Sequence, residues 1–386
     1  MTSFGFYAYP WNFHNVTADF DEMVEYGMRH VAVASSYHAG KFIQPRDKKA
    51  RVYFPEDGMV YFQPRRRYGK LTPLASKVTQ ERDILEDLCA TNRMPVRAWT
   101  VLNHNSRLGW THPDTTVKNA FGDPYYYSLC PANPDVKTYA INLCADLAEY
   151  DLESLLLETP GWLTYGHGYH HEFAQVPPNP WFEGMLGLCF CPHCISGAKD
   201  DGIDADGLRR RTCSRLNAFL LGEEDGFDAE AQILRDLVED PDLQAFIDWR
   251  CDVVTGLVRA IRAEFRSQVK VKVISTCQRP HATTFWEGGD LKGLCRVSDG
   301  LELPIYQPST EMAAYDLNYV VSKLSRTDDL SVILRPGHPD MTSQLQLSDT
   351  LAAVQVAGIN DISFYNYGML KTQNLKWLKA CVKTGS

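Results

Sequence analysis

Eight short runs of aliphatic and β-branched residues recur along the chain, and a helical pattern follows most of them. They lie at 4–9, 30–34, 95–101, 154–158, 271–275, 300–306, 331–335 and 361–365. Near-continuous apolar strands are those buried on both faces, which implies a parallel sheet. Strands alternating with helices imply βαβ units. Eight such units predict an α/β fold of the (β/α)8 TIM-barrel type, which typically takes about 250 residues. The chain has 386 residues and reads as one barrel domain over 1–386. The surplus falls in two places: a Pro/Gly/aromatic-rich loop over 39–78, after strand two, and an insertion over 160–265, after strand four. The insertion holds a cysteine cluster, the run Pro177-Pro178-Asn179-Pro180, and an acidic helical stretch around Gly222 to Asp240. Helices are expected to open at Thr17 and at Ser348, and to cover 79–91 and 134–150. A doubly wound open sheet would want a Gly-rich phosphate turn after strand one; Tyr7-Ala8-Tyr9-Pro10-Trp11 is not that turn.

The net charge of −9 argues against nucleic acid as a partner, because phosphate binding needs a basic face. Arg65-Arg66-Arg67 and Arg209-Arg210-Arg211 are local exceptions that read as solvated surface or an anion contact. No apolar stretch approaches the roughly 20 residues of a membrane span, and Met1-Thr2-Ser3-Phe4 does not begin a signal peptide. Eleven cysteines, an odd number, favour a reducing compartment with metal thiolates over a disulfide framework. A cytoplasmic protein is the expectation.

Chemistry in such a barrel sits at the C-terminal ends of the strands. Those ends deliver Tyr9 and Trp11, then Ser35-Ser36-Tyr37-His38, Asn103-His104-Asn105, Glu158 and Gln278-Arg279-Pro280-His281. Tyr306-Gln307, Arg335-Pro336-Gly337-His338 and Tyr365-Asn366-Tyr367 follow. Aromatic platforms beside many hydrogen-bonding groups suit a sugar, whose CH face stacks and whose hydroxyls need donors and acceptors. Glu158 ends an apolar strand, so burial should raise its pKa and suit it to general acid/base work. Ordinary glycoside hydrolysis needs a second carboxylate. Asp340, in the loop after strand seven, and Glu172, in the loop after strand four, rank ahead of Glu302, which lies deep in strand six. Trp11, His38, His104, His170, His171, Tyr306 and Arg335 are expected to line the pocket, under a roof made by the long loops after strands two and four. Arg335 would suit an anionic substituent on the substrate, or a structural ion pair. The cluster His167-Gly168-Tyr169-His170-His171-Glu172 fits substrate contact, structural hydrogen bonding or a catalytic metal.

Cys189-Phe190-Cys191-Pro192-His193-Cys194 places three thiols in six residues, a spacing that can wrap one tetrahedral zinc. Cys130 in the loop after strand three is the best fourth ligand, with His193 as the alternative. Four sulfur ligands would make the site closed and structural.

One cysteine in the strand-three loop and C-x-C-x-x-C in the strand-four loop resemble the structural zinc site of the glycoside hydrolase family 42 β-galactosidases. The resemblance implies Cys130, Cys189, Cys191 and Cys194 as Zn2+ ligands. The wider layout, with Leu129-Cys130-Pro131, a strand-four glutamate and then the cysteine run, resembles the "hypothetical glycosyl hydrolase" barrels. Those β-galactosidases carry an Asn-Glu pair on strand four and a glutamate on strand seven, whereas here Leu157 precedes Glu158 and strand seven ends in Arg335. The zinc loop carries over and the catalytic pair does not. The expected function is a glycoside hydrolase acting on a small glycoside or oligosaccharide, compatible with a homo-oligomer. The alternatives are a metal-dependent barrel hydrolase or isomerase built on His167 to His171, or a sugar-binding barrel without catalysis.

Overall fold

A computed structural model describes residues 2–167, 175–222, 228–277, 283–324 and 329–384. All eight runs form strands: β1 (Ser3–Ala8), β2 (His30–Tyr37), β3 (Val96–Val101), β4 (Ser154–Glu158), β5 (Lys270–Ile274), β6 (Leu301–Pro304), β7 (Leu330–Leu334) and β8 (Asp361–Phe364). Each pairs in parallel with its sequence neighbours, and β8 pairs with β1, closing the barrel. The helices that wrap it are α1 (Val16–Glu25), α2 (Ile84–Ala90), α3 (Pro134–Leu147), α4 (Pro241–Ala263), α5 (Leu291–Val297), α6 (Thr310–Lys323), α7 (Gln344–Val356) and α8 (Thr372–Thr384).

Helix starts follow side-chain capping. The side chains of Asn15, Asp83, Asn133, Asp240, Asp290, Ser309 and Ser343 each accept a backbone N–H from the first turn of α1 to α7. Satisfying one of the orphan N–H groups at a helix start is what favours these residue types there. Two expected starts move for this reason. Helix α1 opens after Asn15 rather than at Thr17, and α7 opens after Ser343 rather than at Ser348. The stretch 79–91 is two helices, Lys77–Glu81 and α2, because Arg82 and Asp83 are extended and Asp83 caps the second.

Strand side chains alternate between two clusters, as period-2 geometry requires. Phe4, Phe6, Val31, Val33, Val96, Ala98, Leu155, Leu157, Val332 and Leu334 face the helices. Tyr7, Tyr9, Ala32, Ala34, Trp99, Leu156 and Ile333 fill the barrel interior. Below that interior layer, at the strand starts, the inside of the barrel is ionic. Arg97 donates to Asp361 at 3.0 Å and to Glu153 at 2.5 Å. Lys272 Nζ reaches Asp361 at 3.2 Å and Ser331 at 3.1 Å. His30 bonds Ser3 and Ser363 and lies 3.7 Å from Asp361. Glu302 is fully buried in the same layer, and this depth is why it is no part of the strand-end site.

The loop after β2 contributes short strands at Phe42–Ile43, Val52–Tyr53, Met59–Val60 and Leu74–Ala75, of which Met59–Val60 pairs antiparallel with the end of β2. Between β4 and α4 the insertion folds as helices Pro180–Leu186, Pro192–Asp200, Ala205–Leu220 and Ala229–Glu239. Among the described residues no helix is long and apolar enough to cross a membrane.

Removing one partner of a buried ion pair costs about 3–5 kcal/mol. Arg97→Met should therefore lower the urea midpoint sharply, and adding Asp361→Asn should restore part of the loss. Equal midpoints for Arg97→Met and wild type would show that the ionic floor carries no weight.

Candidate active site

A cavity of about 300 Å³ opens at the C-terminal ends of the strands. Its size is at the lower end of the roughly 300–1,000 Å³ typical of small-molecule sites. Glu158 stands in its wall by strand parity: Ser154, Leu156 and Glu158 share one face of β4, and Leu156 belongs to the interior cluster. The Trp99 indole N–H donates to Glu158 Oε2. Burial pushes the Glu158 carboxyl up to about 7, with the indole bond pulling the other way. Immediately after it, Thr159 has φ of +52°. A β-branched residue in the left-handed region is an outlier that a structure keeps at a cost, commonly at functional sites. Asn103, from the end of β3, pins this segment by donating its amide to the Pro160 and Gly161 carbonyls at 2.7 and 3.2 Å.

A second carboxylate lining the cavity is one that the strand ends did not offer. Glu287 closes a 3-10 turn, Thr283–Glu287, in the loop after β5, and it lines the same cavity. Its carboxylate accepts from the Thr276 hydroxyl at 3.2 Å, and burial pushes it up to about 7. The two carboxylate-bearing segments touch through their backbones. Trp162 N–H donates to the Glu287 carbonyl at 3.0 Å, and a Cβ on Gly161 would lie 2.0 Å from that carbonyl oxygen.

Aromatic groups complete the wall. Tyr7, Tyr37, Trp99, Trp162, Tyr306 and Tyr365 line it. The Tyr9 hydroxyl, just behind, bonds Tyr37 at 3.0 Å and Tyr365 at 2.6 Å. Burial, with the neighbouring Tyr365 and Arg335 acting in opposite directions, holds the Tyr306 phenol well above its ordinary value, so it stays a donor. The Arg335 guanidinium lies 4.1 Å over the Tyr306 ring and lines the cavity.

The remaining expected residues are placed as follows. Asp340 is engaged by Arg335 through two bonds of 2.6 and 2.7 Å and does not line the cavity, whereas Glu287 does. Trp11 presents no face to the cavity: Tyr9 stacks on one side at 4.4 Å and Tyr53 stacks on it at 4.5 Å. The cause is the 39–78 loop, which folds Phe42, Tyr53 and Tyr61 onto that ring instead of roofing the cavity. The loop after β5 takes its place in the wall. His38 and His104 stack at 4.1 Å, and His104 meets His167 at 5.2 Å, forming a ladder of rings from which only His167 reaches the cavity wall. His170, His171 and Glu172 lie outside the described residues, as do 278–281.

Cys130, Cys189, Cys191 and Cys194 are buried, with sulfurs all within 4.8 Å of one another, and could hold a metal ion such as zinc. Metal–sulfur bonds of about 2.3 Å in a tetrahedron separate the sulfurs by about 3.8 Å. Cys130 lies 3.4, 3.6 and 3.9 Å from Cys194, Cys191 and Cys189, so the donor set fits. His193, the alternative ligand, is exposed.

No protein-family model matches the chain, and no curated protein matches it. Among solved structures it is similar to the alpha-L-fucosidase isoenzyme 2 from Paenibacillus thiaminolyticus, with TM-score 0.59 and 11% identity over 100% of this chain and 49% of that one. It is also similar to the catalytic domain of beta-amylase from Paenibacillus polymyxa, with TM-score 0.58 and 9% identity over 99% and 98%. The chain spans about half the length of the fucosidase. At these identities the likeness is one of fold.

A carboxyl whose folded pKa is raised from 4.5 to about 7 binds its proton more tightly folded than unfolded. Stability is then lost as pH rises between those values. Glu158→Gln removes the titration, so its melting temperature should exceed that of wild type at pH 8 and converge with it near pH 5. Parallel melting curves at both pH values would contradict the placement of Glu158 in a desolvated wall.

Proposed function

We propose that the protein is a glycoside hydrolase acting on a small glycoside or oligosaccharide, with Glu158 and Glu287 as its two carboxylates. The observation that carries this reading is the pair itself: two carboxyls in one aromatic-walled cavity, both raised to about 7. Glycoside hydrolysis needs one carboxyl protonated to assist the leaving oxygen and one ionised to act as base or nucleophile. Groups with pKa near the working pH serve both states. Glu158 is assigned the general acid/base role, Glu287 the second carboxylate. Tyr306, Tyr37 and Tyr365 supply hydroxyls and ring faces for a sugar, and Arg335 borders the same space. The fold neighbours, a fucosidase and a beta-amylase by title, support a glycosidase without fixing the sugar.

The four cysteines are assigned a structural Zn2+. Sulfur in all four positions leaves no open coordination site, so the ion would fix the loops after β3 and β4 and take no part in bond breaking. The competing reading, a catalytic metal on the His167 to His171 cluster, requires a second ion. One zinc per chain, retained under mild chelation, is the expected result. Activity that needs a second, labile metal would favour the competing reading.

Glu158→Gln and Glu287→Gln should each lower turnover by about 10²–10⁴-fold, the usual worth of a positioned acid or base, measured on a panel of aryl glycosides. The wild-type profile should be bell-shaped around neutral pH. Deprotonation of the acid removes activity above about 7, and protonation of the partner removes it below. Wild-type rates in both variants, or binding without turnover on every glycoside, would overturn the assignment.

A further inference from the structure

Arg250, on α4, is wholly buried. Its Nη2 donates to the Trp286 carbonyl at 2.5 Å, and its guanidinium lies 4.2 Å over the Trp162 ring. Its Nε and Nη1 are buried and have no hydrogen-bond partner among the described residues, and no carboxylate among them pairs with it within 4.0 Å. A guanidinium always carries its charge, and an uncompensated buried charge is strongly unfavourable. Among the described residues, compensating negative charge would have to come from a group other than a carboxylate.

The cysteine loop packs against α4 one turn from Arg250. Phe246, one turn before Arg250, stacks on Phe190 at 5.4 Å with planes 1° apart, and Phe190 sits between Cys189 and Cys191. Residues four apart share a helix face, so the face bearing Arg250 is the one packed on the cysteine loop. Trp249 covers the same segment, since a Cβ on Gly197 would meet its ring at 2.7 Å. Burial pushes the Arg250 guanidinium below its ordinary value, and the neighbouring Cys194, Cys189 and Cys130 act the other way. Four thiolates around one divalent ion leave roughly two net negative charges, a good match for a buried guanidinium with two N–H groups that have no partner among the described residues.

We propose that Arg250 is the counter-cation of the four-cysteine metal centre and ties that centre to the Trp286–Glu287 segment of the cavity wall. Arg250 is a positioning residue: it holds the Trp286 carbonyl, next to the Glu287 carboxylate, and backs the Trp162 ring next to Gly161. The inference rests on the cysteines holding a metal, not on the sugar chemistry.

The test uses the full zinc-loaded chain and a chromophoric chelator. Arg250→Met, of similar length and uncharged, should release zinc at least about tenfold faster than wild type, within the 10–100-fold worth of groups around metal ligands. Arg250→Lys keeps the charge and should release it within about threefold of wild type. Hydrogen exchange over 283–290 should quicken both in Arg250→Met and in wild type stripped of metal under reducing conditions. Unchanged release from Arg250→Met overturns the proposal. If that variant fails to fold, Arg250→Lys decides: tenfold faster release from it overturns the proposal, and near-wild-type release supports it. Unaltered exchange over 283–290 in metal-free wild type overturns the tie to the cavity wall. Wild type that binds no zinc overturns both the proposal and the metal reading beneath it, while leaving the two-carboxylate reading to its own kinetics.

Discussion

Asp361 is the point on which the barrel interior converges. Arg97 from β3, Lys272 from β5 and His30 from β2 all face it from inside the barrel floor. A slip of one residue in any strand would turn its inward side chains outward, so these contacts fix strand parity as well as closing the floor. Parity then propagates upward at two residues per step. Arg97 inward makes Trp99 inward. Lys272 makes Ile274 inward, Ser331 makes Ile333 and Arg335 inward, and Asp361 makes Tyr365 inward. The wall of the cavity is thus a consequence of the floor, two layers below.

The same interior gives carboxyls opposite characters. Asp361 and Glu158 are both half-buried. Arg97, Lys272 and His30 hold the Asp361 carboxyl well below the usual range despite its burial. Among the described residues the donor to Glu158 is a neutral indole, and burial pushes the carboxyl up to about 7. Glu302 lies between these cases, raised by burial while Arg97 and Lys272 pull it down. Distance from the cations of the floor, rather than depth, separates a structural carboxylate from one that can exchange a proton near neutral pH. The apolar layer of Tyr7, Trp99, Leu156 and Ile333 supplies that distance.

The chain's pattern made the barrel legible because each β run keeps its hydrophobic faces; helix starts were less legible, since Asn15 and Ser343 supply the caps of α1 and α7 rather than Thr17 and Ser348. Glu158 was legible as a carboxylate ending an apolar strand. Glu287 was not, because it stands on a turn within a loop and reaches the cavity only through the fold-back that sets its carbonyl against Trp162 N–H. Trp11 misled in the other direction. It sits at the right strand end, but whether an aromatic faces a cavity or a neighbour depends on where a distant loop lands, and Tyr53 lands on it. Asp340 shows a third limit: local spacing makes an available carboxylate and a ready partner for Arg335 look alike, and the ion pair prevails.

Gly161 explains why the two carboxylates belong to one unit. The backbone after Glu158 turns through the left-handed Thr159 and is tied down by Asn103. It then meets the Glu287 carbonyl at a separation that admits no side chain. Gly288 makes the reciprocal approach, since a Cβ there would lie 2.8 Å from the Trp162 ring. Two loops from adjacent strands are therefore locked main chain to main chain beside the carboxyls they carry. Interlocked backbone holds geometry better than contacts between long side chains, because few rotatable bonds remain to loosen it. The proposed two-carboxylate chemistry, which needs a proton donor and an acceptor at fixed separation, calls for that kind of support.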